Sequence, residues 1–224
     1  MRNTLRLMVA EFIGTFFLCF AGIGAIVSET YRAGSVGLMG IAAAHGIALA
    51  VAVTATMNIS GGHLNPAITI GALSLGRIDA RKAVLYIVSQ LLGATVAALA
   101  IKGLYPQMAG QIASFGAPKL ANDIGLAQGI VIEAILTFFL AFAVMGTAVD
   151  PRAPKVGGFG IGLALFFSIL AGGQMTGGAL NPARAFGPEL VSLDFTGAVV
   201  YWIGPILGAV LAAQVYERFL MEKS

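Results

Sequence analysis

The sequence predicts an all-α membrane protein: six transmembrane helices plus two reentrant half-helices, arranged as an inverted repeat. Three observations predict it. Of 224 residues, 58% are hydrophobic and only 10% charged, whereas a soluble domain carries about 25% charged residues. Six apolar runs reach the length of about 20 residues that a helix needs to cross a bilayer. Two further stretches, "SGGHLNPAIT" at 60–69 and "TGGALNPARA" at 176–185, put an Asn-Pro turn inside this apolar chain, and put it there twice.

The chain opens "MRNTLR" and enters an apolar run at 7–27. A secretory signal has an apolar core of about 7–15 residues. This run is longer and carries Glu11, so it reads as a first spanning helix that is kept. The second span falls at 36–58. A shorter stretch, 65–75, starts at Asn65-Pro66. Asn is a favoured N-cap and Pro a favoured first helical residue, and about ten helical residues rise roughly 15 Å, half a bilayer. The third span lies at 83–102, the fourth at 125–148 and the fifth at 157–174. A second half-helix, 181–191, starts at Asn181-Pro182, and the sixth span is 197–217. Connections of about 8–20 residues leave no room for another domain, so 1–224 is read as one.

The halves repeat over approximately 7–103 and 125–218. "EFIGTFFLCF" at 11–20 matches "EAILTFFLAF" at 133–142, and "GIALAVAV" at 46–53 resembles "GIGLALFF" at 160–167. Each half holds three spans, an odd number, so the second enters the membrane from the opposite side. Such inverted repeats place their site near the midplane, between the halves. Arg and Lys give the orientation. Arg2, Arg6, Arg77, Arg81, Lys82, Arg152, Lys155, Arg218 and Lys223 fall on one side, while Arg32 and Lys119, with Lys102 as a doubtful third, fall on the other. Both termini are expected in the cytoplasm.

Composition also excludes. The net charge of +3 is scattered, without the basic cluster that a nucleic-acid partner requires. A single cysteine, Cys19, rules out an internal disulfide or a cysteine-rich metal site; it reads as a packed thiol. No ligand cluster or nucleophile points to a metal, a cofactor or an enzyme.

With one half-helix entering from each face, the two N-termini meet at the midplane. Irregular backbone is tolerated there only where protein buries it or a water-filled cavity lines it, so a polar pathway is expected. Each half-helix aims about half a positive charge at it, and two together repel cations. The amides of Asn65 and Asn181 carry donors that can face the pathway. Arg184, directly after Asn181-Pro182-Ala183, is an expensive membrane residue and functional by default. Glu11 and Glu133 are matched buried acids and need partners; each is expected to bond the N–H groups of its reentrant loop. His63 either orders the first loop or lines the cytoplasmic vestibule. These features fit a passive channel for small neutral molecules. A secondary transporter is the rival of another class, and a purely structural membrane protein a third reading.

Across essentially its whole length, from "AEFIGTFFL" through "SGGHLNPA" and "GGALNPARAFGP" to "YWIGP", the chain resembles the major intrinsic protein family, the aquaporins and aquaglyceroporins. The resemblance implies a homotetramer in the lipid bilayer with a pore in each subunit. Its pore motifs would be Asn65, Pro66, Ala67 and Asn181, Pro182, Ala183. Its selectivity filter would be Arg184 with His45, Ile169 and Gly178. From the residues alone the alternatives are a hydrogen-bonded core histidine for His45, simple packing for Ile169, and a requirement of the Gly-Gly turn for Gly178. The set is similar to that of plant tonoplast-type aquaporins with ammonia permeability, as is "TAVDPR" at 147–152. In those proteins a loop residue joins the filter; Phe115 is the candidate equivalent here. Glycerol facilitators of the family carry Asp after the filter Arg, where this chain has Ala185, and differ at Tyr201-Trp202. Both differences favour the aquaporin branch over a glycerol or urea facilitator. The short tails favour a plasma membrane, with a tonoplast-like one as the alternative. Glu189 has no evident role in the sequence.

Overall fold

The computed structural model describes residues 2–222. Lys223 and the side chain of Arg2, both counted among the cytoplasmic cations above, lie outside that description. Among the described residues, six helices are long and apolar enough to span a membrane: α1 (Arg2–Tyr31), α2 (Gly37–Ser60), α4 (Ala80–Leu104), α6 (Leu126–Val144), α7 (Phe159–Thr176) and α9 (Ala198–Phe219). Two short helices, α3 (Pro66–Ser74) and α8 (Pro182–Ser192), start at the two Asn-Pro pairs. The described residues contain no strand. Spanning a bilayer as helices satisfies the backbone internally, and many large apolar side chains face outward, among them Ile47, Leu92 and Leu211.

Three details differ from the sequence expectation. Helix α1 starts at Arg2 and ends at Tyr31, beyond the 7–27 run at both ends. Its polar ends, "RNTLR" and "SETY", continue the helix beyond the apolar run, so apolarity marks the span and not the helix. The connection after α4 holds a short α5 (Gln107–Ile112) and a tight turn at Ser114–Gly116. A wide helical turn, Met145–Val149, extends α6.

Packing follows the repeat. α1 lies against α2 and α4, α6 against α7 and α9, and α2 against α7 joins the halves. Each half-helix packs on a span of the other half: α3 on α9, and α8 on α4. Small residues permit the close approaches, as in membrane helix pairs generally. A methyl on Gly208 would strike the Ala134 carbonyl, and one on Gly93 the Phe12 carbonyl. The halves meet head to head. The Asn65 amide Nδ2 donates to the Leu180 carbonyl at 2.9 Å, and the Asn181 Nδ2 donates to the Leu64 carbonyl, also at 2.9 Å.

Candidate functional site

The two reentrant loops are built alike. Asn65 Oδ1 accepts from the Ala67 N–H at 2.8 Å, and Asn181 Oδ1 accepts from Ala183 at 2.9 Å and Arg184 at 3.3 Å. Each Asn is therefore an N-cap with Pro behind it, which satisfies N–H groups that begin a helix without partners. Leu64 and Leu180 hold φ of 52° and 51°, and Gly62 and Gly178 hold φ of 61° and 56°. Gly178 thus repeats the backbone conformation of Gly62. The left-handed region favours glycine, so the turn alone accounts for this residue.

A carboxylate sits behind each loop. Glu11 accepts from the Ser60 hydroxyl at 2.6 Å, the His63 N–H at 3.0 Å, the Leu64 N–H at 2.7 Å and the Gln90 amide at 2.8 Å. Glu133 accepts from the Thr176 hydroxyl at 2.6 Å, the Ala179 N–H at 2.9 Å and the Leu180 N–H at 2.8 Å. Hydrogen bonds to an ionised carboxylate are the strong ones. Tyr86 donates to the Ser60 carbonyl at 2.7 Å and Tyr201 to the Thr176 carbonyl at 2.9 Å. The Ser60–Thr176 and Tyr86–Tyr201 pairs escaped the sequence reading. A signal existed: Ser60 and Thr176 each precede a Gly-Gly, and the tyrosines follow Asn65 and Asn181 at nearly equal spacing.

Between the loops runs a narrow cavity of about 20 Å³, with Asn65, Asn181, His45, Arg184 and His63 as its polar lining. A water occupies at least about 10–15 Å³ on this measure, so the cavity has room for little more than a single water. Its other walls include Leu18, Leu49, Val53, Leu140 and Leu165. His63 also lines a wider vestibule of about 190 Å³ with Arg77, Ala148 and Val149. His63 Nδ1 is 3.1 Å from the Thr69 hydroxyl, and its ring meets Tyr86 edge-on, so it both borders the pathway and is ordered by the loop.

Arg184 closes the far end. It is 2% exposed. Its Nη1 donates to the Gly116 carbonyl at 2.9 Å, and its Nε donates to His45 Nε2 at 3.4 Å. His45 Nδ1 lies 2.8 Å from the Ile41 carbonyl. A carbonyl only accepts and a guanidinium only donates, so His45 is neutral, with its proton on Nδ1. The accepting nitrogen of His45 is therefore taken by Arg184. One N–H of each Asn amide is spent on the opposite loop, and one remains. The expectation for Phe115 is corrected. Its ring packs against Gly110 and under Lys102, away from the cavity lining. The loop's contribution is the neighbouring Gly116 carbonyl. Ile169 is buried against Gly178, and neither borders the narrow cavity.

The family model "Major intrinsic protein" matches residues 1–216. The chain belongs to the major intrinsic protein family. It is 42% identical to Aquaporin TIP4-4 of Zea mays over 96% of this chain and 87% of that one. It is 40% identical to Aquaporin TIP2-1 of Arabidopsis thaliana over 99% and 90%. An X-ray structure of the aquaglyceroporin from Plasmodium falciparum matches with TM-score 0.85 and 26% identity, covering 97% of each chain. Membership makes this major intrinsic protein an integral, multi-pass membrane protein of the aquaporin channel family.

Three other features complete the picture. Cys19 is fully buried with Ile23, Ala94 and Ala183. At the vestibule end, Arg152 Nη2 lies 2.7 Å from Asp150 and Nη1 lies 2.9 Å from Glu222. Hydrogen bonds from Arg152 hold the Asp150 carboxyl well below the usual carboxylate range. Glu189 is buried in α8, and neither carboxylate oxygen has a partner among the described residues.

Proposed function

We propose that the protein is a passive water channel that excludes ions and protons and also passes neutral ammonia. The observation that carries this reading is the reciprocal Asn65–Leu180 and Asn181–Leu64 contact, which brings two helix N-termini to one narrow cavity. Each terminus carries about half a positive charge, and Arg184 adds a full one. Cations, hydronium included, meet this field in a place without bulk water. Water accepts one N–H from each Asn amide. Two donors on one oxygen orient it so that a proton wire through the centre is broken.

Arg184 with His45 forms the narrow filter, with Ile169 and Gly178 shaping the wall behind it. Arginine carries five N–H donors, of which His45 and Gly116 occupy one each; the other three can meet a passing lone pair. Water and ammonia both supply one. The ammonia reading therefore rests on donation by Arg184 and on size, not on His45 as acceptor. Ala185 and the narrow cavity oppose a glycerol or urea facilitator. The functional unit is a homotetramer with one pore per subunit. Both termini face the cytoplasm, as the distribution of Arg and Lys supports, and the TIP-type relatives favour a tonoplast-like membrane over a plasma membrane.

Stopped-flow measurements on proteoliposomes test the reading, with water, ammonia, urea and glycerol compared side by side. Fast water and ammonia entry with slow glycerol entry is expected. Glycerol flux matching water flux would remove the proposed filter. Ammonium-driven alkalinisation no faster than in empty vesicles, beside fast water flow, would restrict the channel to water.

A further inference from the structure

We propose that the groove between the N-terminal ends of α1 and α4 holds an anionic phospholipid, with its phosphate at Arg81 and Lys82. The groove has a volume of about 780 Å³. Leu5, Leu7 and Met8 of α1 and Leu85 of α4 form its apolar wall, with Asp79, Arg81 and Lys82 at the rim.

The inverted repeat shows what this place lacks. Tyr86 and Tyr201 are partners in the repeat, as are Glu11 and Glu133, by their matching bonds. Counting from them, Leu7, Met8 and Leu85 correspond to Gly129, Ile130 and Val200. On that opposite face Leu120, from the connection before α6, fills the equivalent space. It packs against Gly129 and Val200, and with Ile130 it covers the cluster around Tyr201. The connection between the halves occurs once, so among the described residues the α1–α4 groove has no such plug, and Leu5 is 63% exposed.

Charge selects the occupant. Arg77, Lys119 and Arg152 are each paired with a carboxylate. Arg81 and Lys82 are in no ion pair among the described residues. Asp79 Oδ1 is turned to the Lys82 backbone N–H at 2.9 Å, capping α4, and the Lys82 ammonium lies 5.5 Å from the Tyr86 ring centroid. The corresponding positions on the other face are Thr196 and Gly197, so the fold itself does not require cations here. An apolar groove with a cationic rim at a membrane surface matches one phosphate with its acyl chains. Free phosphate would meet the charges and leave the apolar wall wet.

Native mass spectrometry of the full chain in detergent tests the site, with phosphatidylglycerol, phosphatidylcholine and sodium phosphate in separate arms. Wild type is expected to retain phosphatidylglycerol in preference to phosphatidylcholine. Arg81→Gln with Lys82→Gln should cut that retention by about fivefold per charge removed, with water permeability unchanged. Leu5→Asn should weaken retention of both lipids, and Arg32→Gln, at the opposite end of α1, should leave it unaltered. Equal retention of the two lipids by wild type, undiminished retention in the double variant, or sodium phosphate competing as well as the lipid would overturn the proposal.

Discussion

Replacing Glu133 by Gln tests the brace beneath the second half-helix with almost no change of shape. One carboxylate oxygen accepts from Thr176 and the Ala179 N–H, and the other from the Leu180 N–H. In Gln one of these oxygens becomes an NH₂ group. The Thr176 hydroxyl can rotate to accept from it, but a backbone N–H cannot. Whichever way the amide is set, Ala179 or Leu180 therefore meets a donor. The loss is one charge-assisted bond, about 1.5–3 kcal/mol, and the orphaned N–H adds about 1–3 kcal/mol. A destabilisation of roughly 2.5–6 kcal/mol follows, which lowers the melting temperature by on the order of 10 °C. Glu11→Gln should behave alike, because His63 and Leu64 bind separate oxygens of Glu11. Thermal unfolding in detergent and stopped-flow water permeability per channel are the assays, and both should fall. A Glu133→Gln protein that melts within a degree of wild type and conducts water equally well would refute the bracing argument.

The other predictions concern single residues. Wild type should resist mercurials because Cys19 is fully buried. Gly178→Cys should cost about 1–2 kcal/mol for its positive φ without conferring sensitivity, because Gly178 faces Ile169 and does not border the cavity; strong inhibition of wild type, abolished by Cys19→Ser, would place Cys19 in the pathway instead. Glu189→Met should raise stability by about 1–3 kcal/mol, since it removes a buried carboxylate without partners; an unchanged or lower melting temperature counts against this. The folded Asp150 carboxyl is held below its unfolded value. Its contribution to stability is therefore fully present above the ordinary carboxylate value of about 3.9 and is lost as pH falls through the lower folded value. Hydrogen exchange at 150–156 should accordingly be protected to the same extent, after correction for intrinsic rate, from pH 5 to pH 8, and protection lost within that window would contradict the assignment.

The spans, both half-helices and the paired acids were legible because each rests on a local pattern. Apolar length marks a span, Asn-Pro marks a helix start, and the repeat of Glu-x₃-Thr-Phe-Phe-Leu marks Glu11 and Glu133 as partners. Partners brought in from afar were not legible. Gly116 reaches Arg184 across 68 positions, through a carbonyl that any residue could supply. His45 was visible as a candidate, but its commitment to Arg184 depends on where α2 lies relative to α8. Phe115 drew notice as an aromatic in the right loop, yet its ring found a better apolar site beside Gly110. α5 is too short to show an apolar span or a sustained helical period.

The central claim is that two opposed helix N-termini and Arg184 let water through and stop protons. It is tested most directly in one set of proteoliposomes carrying a pH dye, with osmotic water flow and proton flux under an imposed pH gradient and valinomycin measured on the same preparation. Water flow well above that of empty vesicles, with proton flux equal to theirs, is the predicted result. Proton flux that rises with protein content in step with water flow would contradict it.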